Sequence, residues 1–585
     1  MFTNQKRMSR RIFFFTAYFA FLAVFCGCKD EFFANNDNEF DQRSNIVVPE
    51  LDERLIDDLE LLGKLWGFLK YHHPRVGKGI YNWDYELFRI LPAYLKAKNP
   101  HERDKILLEW INKYGKIPIC IFCRKTPSNA YIKPDLSWVD NSGMNDDLKK
   151  KIQKIYSNRH QGKHYYINLR YGKFPEFINE KAYSNMYYLD TGFQLLALYR
   201  YWNMIQYFFP YKYQTDKNWD DILKEYIPVF ISAETRTEYE LATLQIIGEI
   251  HDTHANLWGG GNEITRIRGS NFAPFRVCFI EGNLVVTDYY STLARPMEIG
   301  DIITNINGKT IEDIVDSLRK YYPASNEAAR LRDISFDLLR SPKDRISIDY
   351  TSSGSSRQKE IQLYPRNSLN IYRWFKHEKS YKLLDGNIGY VSLGDVKKED
   401  IKEIRNSFAN TKGVIIDIRN YPSEFSLYIL HYFYSKKPRF LKFAKSTSGN
   451  ANNPGEFTFN RYGLIESVLK LMPNTIGYYK GKKVALVNEI TMSMAEYLTM
   501  ALKAGNSPTT IIGSTTAGAD GNVSEVVLPG GLRTAISGVG IYYPDGKQTQ
   551  RVGIVPDIWI EPTVEGIRHG RDELLEKAIE AINNQ

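Results

Sequence analysis

Cysteine is scarce in this chain of 585 residues: there are five, and two of them, Cys26 and Cys28, fall within the first thirty positions. Cys120, Cys123 and Cys278 are left for the body of the protein, too few for a disulfide-built scaffold. Cys120 and Cys123 could close a tight disulfide, supply half of a zinc site or do neither. No second Cys/His pair stands at finger-like spacing, which argues against zinc. Proline (24) and glycine (40) are at ordinary levels, so collagen-like and low-complexity chains are excluded. An apolar share of 43% with 25% charged residues excludes disorder. The N-terminal apolar run, Ile12 to Phe25, is 14 residues broken by Thr16; a permanent spanning helix needs about 20.

Lys6, Arg7, Arg10 and Arg11 ahead of that run make it read as a secretory signal. Phe25-Cys26-Gly27-Cys28 resembles a bacterial lipobox with Cys28 as the acylated residue. Cys28-Lys29-Asp30-Glu31 resembles the surface-export signal of lipoproteins from Bacteroidetes-type bacteria. The resemblance implies an outer-membrane lipoprotein facing the periplasm or the cell surface, held to the membrane by its lipid. An ordinary cleaved signal or a short anchor helix are the plainer alternatives. Removing residues 1–27 takes away four basic and no acidic residues, so the net charge falls from +9 to +5. No dense Lys/Arg cluster then remains, and nucleic acid loses its main support as a partner.

What the chain has in excess is aromatic residues: 40 Tyr, 31 Phe and 9 Trp, or 14%. Residues 28–50, rich in Asn and Asp, read as a lipidated tether. Over 51–260 the apolar period is mostly helical, as in Asp52–Tyr71 and Thr191–Phe209. Within that region Trp66, Tyr71, Pro74, Asn82, Trp83, Asp84 and Pro92 recur as Trp202, Tyr207, Pro210, Asn218, Trp219, Asp220 and Pro228, each pair 136 positions apart. Two copies of a helix–loop–helix unit are expected, with the second helix of each starting at Asn-Trp-Asp. The repeated aromatics are packing residues or, on a second reading, a sugar-binding platform.

From 271 to 365 the period changes to strands, at Phe275–Phe279 and Leu284–Tyr289, and Asn307-Gly308 marks a tight hairpin turn. From 370 to 585 strands and helices alternate. Gly389–Leu393, Gly413–Ile418 and Lys483–Val487 read as buried strands, with helices over Lys398–Phe408 and Ser493–Ala504. The fold class is therefore multidomain, a mostly α-helical N-terminal part followed by β/α and α/β parts.

The sharpest local feature is an apolar strand ending before Asn488, a short loop, and a helix beginning at Ser493. A serine there is an ordinary cap, but free N–H groups and the positive helix end also suit a nucleophile and an oxyanion. Thr491-Met492-Ser493-Met494-Ala495-Glu496 resembles the nucleophile motif of the C-terminal processing (tail-specific) serine peptidases. Asp417-Ile418-Arg419-Asn420, Ile512-Gly513 with Ala517-Gly518, and Val552-Gly553-Ile554-Val555-Pro556-Asp557 resemble three further blocks in the family's order. Residues 298–309 resemble the late strands of a PDZ domain. The resemblance, over roughly 250–562, implies a PDZ-like module at 271–365 and a crotonase-like peptidase core at 370–585.

Ala519 stands where one branch of that family carries a lysine base, so a Ser-Lys dyad is excluded on this alignment. His254, within Glu249-Ile250-His251-Asp252-Thr253-His254-Ala255, matches the histidine base of the tricorn-type branch. The plainer reading pairs His251 and His254 on one helix face. The resemblance implies Ser493 as nucleophile, His254 as base, Thr253 and Gln550 as groups orienting it, and the N–H groups of Met494 and of Ser423 or Glu424 as oxyanion donors. Gln550 replaces a glutamate, and Tyr421-Pro422-Ser423-Glu424 replaces a Gly-Gly. The reading is an exported serine peptidase working through an acyl-enzyme on peptides or proteins, with no cofactor and no metal. The alternatives are a weak or inactive peptide-binding relative and a glycan-binding surface lipoprotein.

Overall fold

The computed structural model describes residues 33–584 except 124, 171–173, 262, 292–293, 372–378, 434–443, 460–477 and 505–508. The export signal and Cys28 lie outside the described residues. The helical region contains α1 (Glu53–His72), α2 (Trp83–Tyr94), α3 (Pro100–Lys113), α4 (Asp146–Ser157), α5 (Thr191–Phe208), α6 (Trp219–Ile231) and α7 (Arg236–Gly248). Every one begins at a side-chain cap, from Asp52, Asn82, Asn99, Asn145, Asp190, Asn218 and Thr235 in turn. Each such oxygen satisfies an N–H that the helix itself cannot, worth about 1 kcal/mol.

The 136-residue repeat is a structural duplication. In the first copy Trp66 Nε1 donates to Trp83 O and Trp83 Nε1 donates back to Trp66 O, both at 2.9 Å. In the second, Trp202 and Trp219 repeat the clasp at 2.7 and 3.1 Å. The copies meet along α1 and α5, where Gly63 faces Tyr199 and Gly67 faces Asn203, each its own counterpart 136 positions on. Tyr199 Oη donates to Leu59 O (2.6 Å), and Asn203 Nδ2 to Gly63 O (3.0 Å). Residue against counterpart means a local two-fold axis between α1 and α5. All four tryptophans are buried, so they are core and cannot form the sugar-binding platform. The aromatic excess is spent on packing.

Two expectations about boundaries change. The stretch read as a tether is docked from residue 34 onward: Ala34 is buried in the helical core, Arg89 pairs with Asp37 and Glu39, and Ser44 Oγ donates to Asp190 at 2.6 Å. The cause is that its Asn and Asp residues meet partners on α2 and at the α5 cap. The helical region also does not close its own core. Val526, Leu528, Leu532, Ile536 and Tyr542 from far downstream are buried in it, and buried Arg200 on α5 donates to Val527 O.

Next comes an antiparallel sheet of β1 (Phe275–Ile280), β2 (Asn283–Tyr289), β3 (Ile302–Ile306), β4 (Lys309–Thr310), β5 (Arg345–Ser352) and β6 (Ser355–Gln362), in the order β6-β5-β3-β2-β1 with β4 on β3. Asn307 and Gly308 both have positive φ (50° and 78°), as a primed two-residue hairpin requires. Helices α8 (Ile311–Leu318) and α9 (Glu327–Leu338) complete this part, and Ile334 and Leu338 of α9 pack into its core.

The last part holds β7 (Tyr381–Leu384), β8 (Ile388–Ser392), α10 (Asp400–Phe408), β9 (Gly413–Asp417), α11 (Ser426–Phe433), β10 (Lys482–Val487), α12 (Met494–Lys503), β11 (Thr510–Gly513), β12 (Val523–Leu528), β13 (Leu532–Ser537), β14 (Ile558–Trp559) and α13 (Glu573–Asn584). The main sheet runs β7-β8-β9-β10-β11-β14, parallel except for β7. Val414, Ile416, Ala485 and Val487 point into a core with α10, α11 and α12. Ile415, Val484 and Leu486 point into another with α13. Both faces are covered, which is why these strands read as unbroken apolar runs.

Candidate active site

Ser493 sits where β10 turns into α12. The connecting loop is closed by Thr491 N donating to Asn488 O (2.9 Å), and Thr491 Oγ1 donates to Ile418 O (2.9 Å), just past β9. The turn forces Ser493 to φ 57°, ψ −121°, a costly conformation for a side chain with a Cβ, of the kind that marks functional turns. Ser493 is half-buried. Met494 N–H opens α12, with no acceptor among the described residues, at the positive end of the helix.

Glu496 holds this turn. Its fully buried carboxylate accepts from Ser493 N (3.2 Å), Gly518 N (2.9 Å), Ala519 N (3.0 Å) and Thr516 Oγ1. Burial pushes its pKa up, against those four donors. Ser493 N also donates to Ala519 O (2.9 Å). The glutamate three residues after the serine thus ties α12, the nucleophile turn and the loop 516–519 into one unit. Burial, and then the charge of Glu496, push neighbouring Asp520 well above the carboxylate range.

His254 reaches the same loop from the other side. Helix α7 ends at Gly248, so His251 and His254 do not share a helix face; the break is at His251, with φ 48°. Ser537 Oγ, at the end of β13, donates to Asp252 Oδ1 (3.1 Å) and lies 2.9 Å from His254 Nδ1. A hydroxyl has one proton to give. With that O–H directed at Asp252, Ser537 can only accept from His254, which puts hydrogen on Nδ1 and leaves Nε2 with a free lone pair. Nε2 is buried and has no hydrogen-bond partner among the described residues, so its lone pair is available to a proton donor. Asp252 also accepts from His254 N (3.0 Å) and Ser537 N (2.6 Å). Burial raises its pKa, but the bonds from His254 and Ser537 outweigh that and leave it below the ordinary range.

Three expected roles are placed differently. Thr253 Oγ1 donates to Ala517 O (3.0 Å) and accepts from Ser325 N (2.9 Å); it fastens the His254 loop rather than the imidazole. Gln550 Nε2 donates to His251 O (3.4 Å) and Ser325 Oγ (3.3 Å), and its Oε1 has no partner among the described residues. Its amide is turned to that backbone, so neither it nor Thr253 hydrogen-bonds the His254 ring. Ser423 N–H donates to Leu393 O at 3.0 Å, and its hydroxyl to Val396 O at 2.7 Å. An N–H already engaged at β8's end cannot also serve an oxyanion, so Ser423 is withdrawn as a donor.

Sequence reasoning missed Asp252 and Ser537. The Asp-x-His spacing offered a local signal, since it lets the carboxylate accept the N–H of His254. Ser537 is 283 positions away and has no sequence signal. Cys120 and Cys123 form a disulfide. Among the described residues no group of three or more His, Cys, Asp or Glu side chains could hold a metal ion.

No curated protein sequence matches this chain. Among solved structures, mature CPAF complexed with lactacystin aligns with a TM-score of 0.53 at 16% identity, over 68% of this chain and 99% of that one. Mature CPAF aligns with a TM-score of 0.51, also at 16% identity, over 68% and 98%. The photosystem II D1 C-terminal processing protease aligns over 65% and 97% at 17% identity, with a TM-score of 0.37. At these identities the CPAF likeness concerns the fold. Residues 387–560, which contain Ser493, Glu496 and Ser537, match peptidase family S41, and this stretch of the chain is therefore a peptidase S41 domain.

Proposed function

We propose that this chain is an exported serine peptidase, anchored at the outer membrane through Cys28, that hydrolyses peptides or proteins through an acyl-enzyme. Ser493 Oγ attacks the scissile carbonyl. His254 Nε2 takes its proton and returns it to the leaving amine. Met494 N–H stabilises the oxyanion, and Ser537 with Asp252 holds the imidazole in the required tautomer. The 271–365 part acts as a PDZ-like module and 370–585 as a crotonase-like core. The observation that carries the reading is a serine held at positive φ on a helix N-terminus and a buried imidazole whose Nε2 has no partner among the described residues, their loops both fastened to 516–519 through Ser493 N to Ala519 O and Thr253 Oγ1 to Ala517 O. Hydrolysis of an unfolded protein substrate by the wild type, abolished in Ser493→Ala and in His254→Ala, tests it; equal turnover by the variants refutes it.

A second reading, a peptide-binding relative without turnover, draws on two observations. No hydrogen bond joins His254 to Ser493 in the resting structure, and the second oxyanion donor expected at Ser423 is engaged. Peptide retention by wild type and Ser493→Ala alike, with no product from either, would favour it.

A further inference from the structure

The Cys120–Cys123 disulfide closes a tight loop whose apolar side chains face outward. Ile119, Ile121 and Phe122 are 86%, 83% and 85% exposed, the largest exposures of any described large apolar side chains apart from Val47. Isolated exposed apolar residues are ordinary, but three together on a cross-linked loop are a built feature. A disulfide also fits an exported protein.

The surroundings are basic. Residues 110–134 and 148–175 contain no Asp or Glu, while the first stretch carries Lys116, Lys125 and Lys133, besides a Lys113 that pairs with Glu86, and the second Lys149, Lys150, Lys151 and Lys154 among others. The fold brings the two together: Cys120 N donates to Asn158 Oδ1 at 2.9 Å, and Cys123 Sγ lies 3.5 Å from Arg159 O, both at the end of α4. Lys116, Lys125, Lys150 and Lys154 are exposed, and none pairs with a carboxylate among the described residues.

The start of the described chain lies close by. Ala34 N donates to Gly79 O at 3.3 Å, Gly77 packs on the ring of His160, and His160 follows Arg159. Six residue steps separate Ala34 from Cys28, a reach of about 20 Å at most.

We propose that the 119–122 loop is a membrane-contacting element that inserts Ile119, Ile121 and Phe122 into the interface of an anionic bilayer, with Lys116, Lys125 and Lys154 over the headgroups. Apolar tips ringed by lysine suit a lipid surface, where one part is buried among acyl chains and the other meets phosphate. A nucleic-acid surface has no use for the apolar tip. The loop would lay the helical region against the membrane independently of the peptidase chemistry.

The test uses the full chain reconstituted in vesicles of phosphatidylcholine with phosphatidylglycerol brominated on its acyl chains. Phe122→Trp places a reporter at a side chain that touches no core. Added tryptophan fluorescence that is quenched by the brominated lipid, relative to the parent chain, is expected. The quenching should fall at least threefold when Lys116, Lys125 and Lys154 are changed to Glu, with circular dichroism unaltered. No extra quenching overturns the proposal, and this is also the outcome if the loop serves a protein partner. Quenching indifferent to the charge reversal overturns it as well.

Discussion

Ser537 Oγ lies 2.9 Å from His254 Nδ1 and donates a hydrogen bond to Asp252. That hydroxyl and Asp252 Oδ1, itself 3.5 Å from Nδ1, together set which imidazole nitrogen carries hydrogen and which is left as a base. Ser537→Ala keeps the fold, since the residue ends a strand and its backbone N–H still reaches Asp252. It should lower kcat by about 10- to 100-fold with little change in KM, the signature of a positioning group. An unchanged kcat would remove Ser537 from the account.

The carboxylate behind it supplies a pH dependence. Asp252 titrates below its ordinary value in the folded protein, so the stability it contributes is fully present above the unfolded pKa of about 4. That contribution is lost as pH falls through the depressed folded value. Asp252→Asn should therefore be less stable than wild type by about 1–3 kcal/mol at pH 6–8, with the gap closing below about pH 4. Urea titrations at pH 7 and pH 3.5 read both ends; a gap that widens in acid would contradict the assignment.

Glu496 is a structural acid with a functional consequence. Four donors converge on it, and an amide in its place can accept fewer of them and adds two hydrogens of its own. Glu496→Gln should cost about 2–3 kcal/mol and lose most activity, because the Ser493 turn would relax. Ser493→Gly should be at least as stable as wild type, since glycine adopts positive φ freely. Thermal unfolding of the two variants side by side distinguishes a strained turn from an ordinary cap.

The duplication predicts paired behaviour. Trp66→Phe and Trp202→Phe each remove one N–H of a reciprocal clasp, leaving the carbonyls of Trp83 and Trp219 with only their helical donors, and should destabilise by about 1 kcal/mol each. Gly67→Ala should be worse than either, since the new Cβ would lie 1.8 Å from Asn203 Oδ1 in a closely packed crossing. A neutral Gly67→Ala would mean that α1 and α5 do not cross there.

Much of this was legible along the chain because its causes are local. Asp52, Asn82, Asp190 and Asn218 announce helices as caps, Asn307-Gly308 announces a hairpin, and the unbroken apolar runs at Gly413 and Lys483 announce strands covered on both faces. The 136-residue offset announced two similar units and left open that they pack about a two-fold axis with Gly63 and Gly67 at its centre. What stayed hidden depends on distant contacts. Ser423 looks available until β8 claims its N–H, Gln550 looks aimed at the base until Ser325 claims its amide, and Ser537 has no neighbour in sequence that hints at His254. The Asn- and Asp-rich segment before Leu51 read as a tether because nothing local shows Arg89 and Asp190 waiting for it.

The central claim is that Ser493 is a nucleophile made reactive by His254. Labelling the folded chain with a fluorophosphonate between pH 6 and 9, followed by peptide mapping, tests it most directly. The account predicts one adduct on Ser493, absent from Ser493→Ala and slowed at least 100-fold in His254→Gln. No adduct on Ser493 at any of these pH values, or labelling of Ser493 that is indifferent to His254, would contradict it.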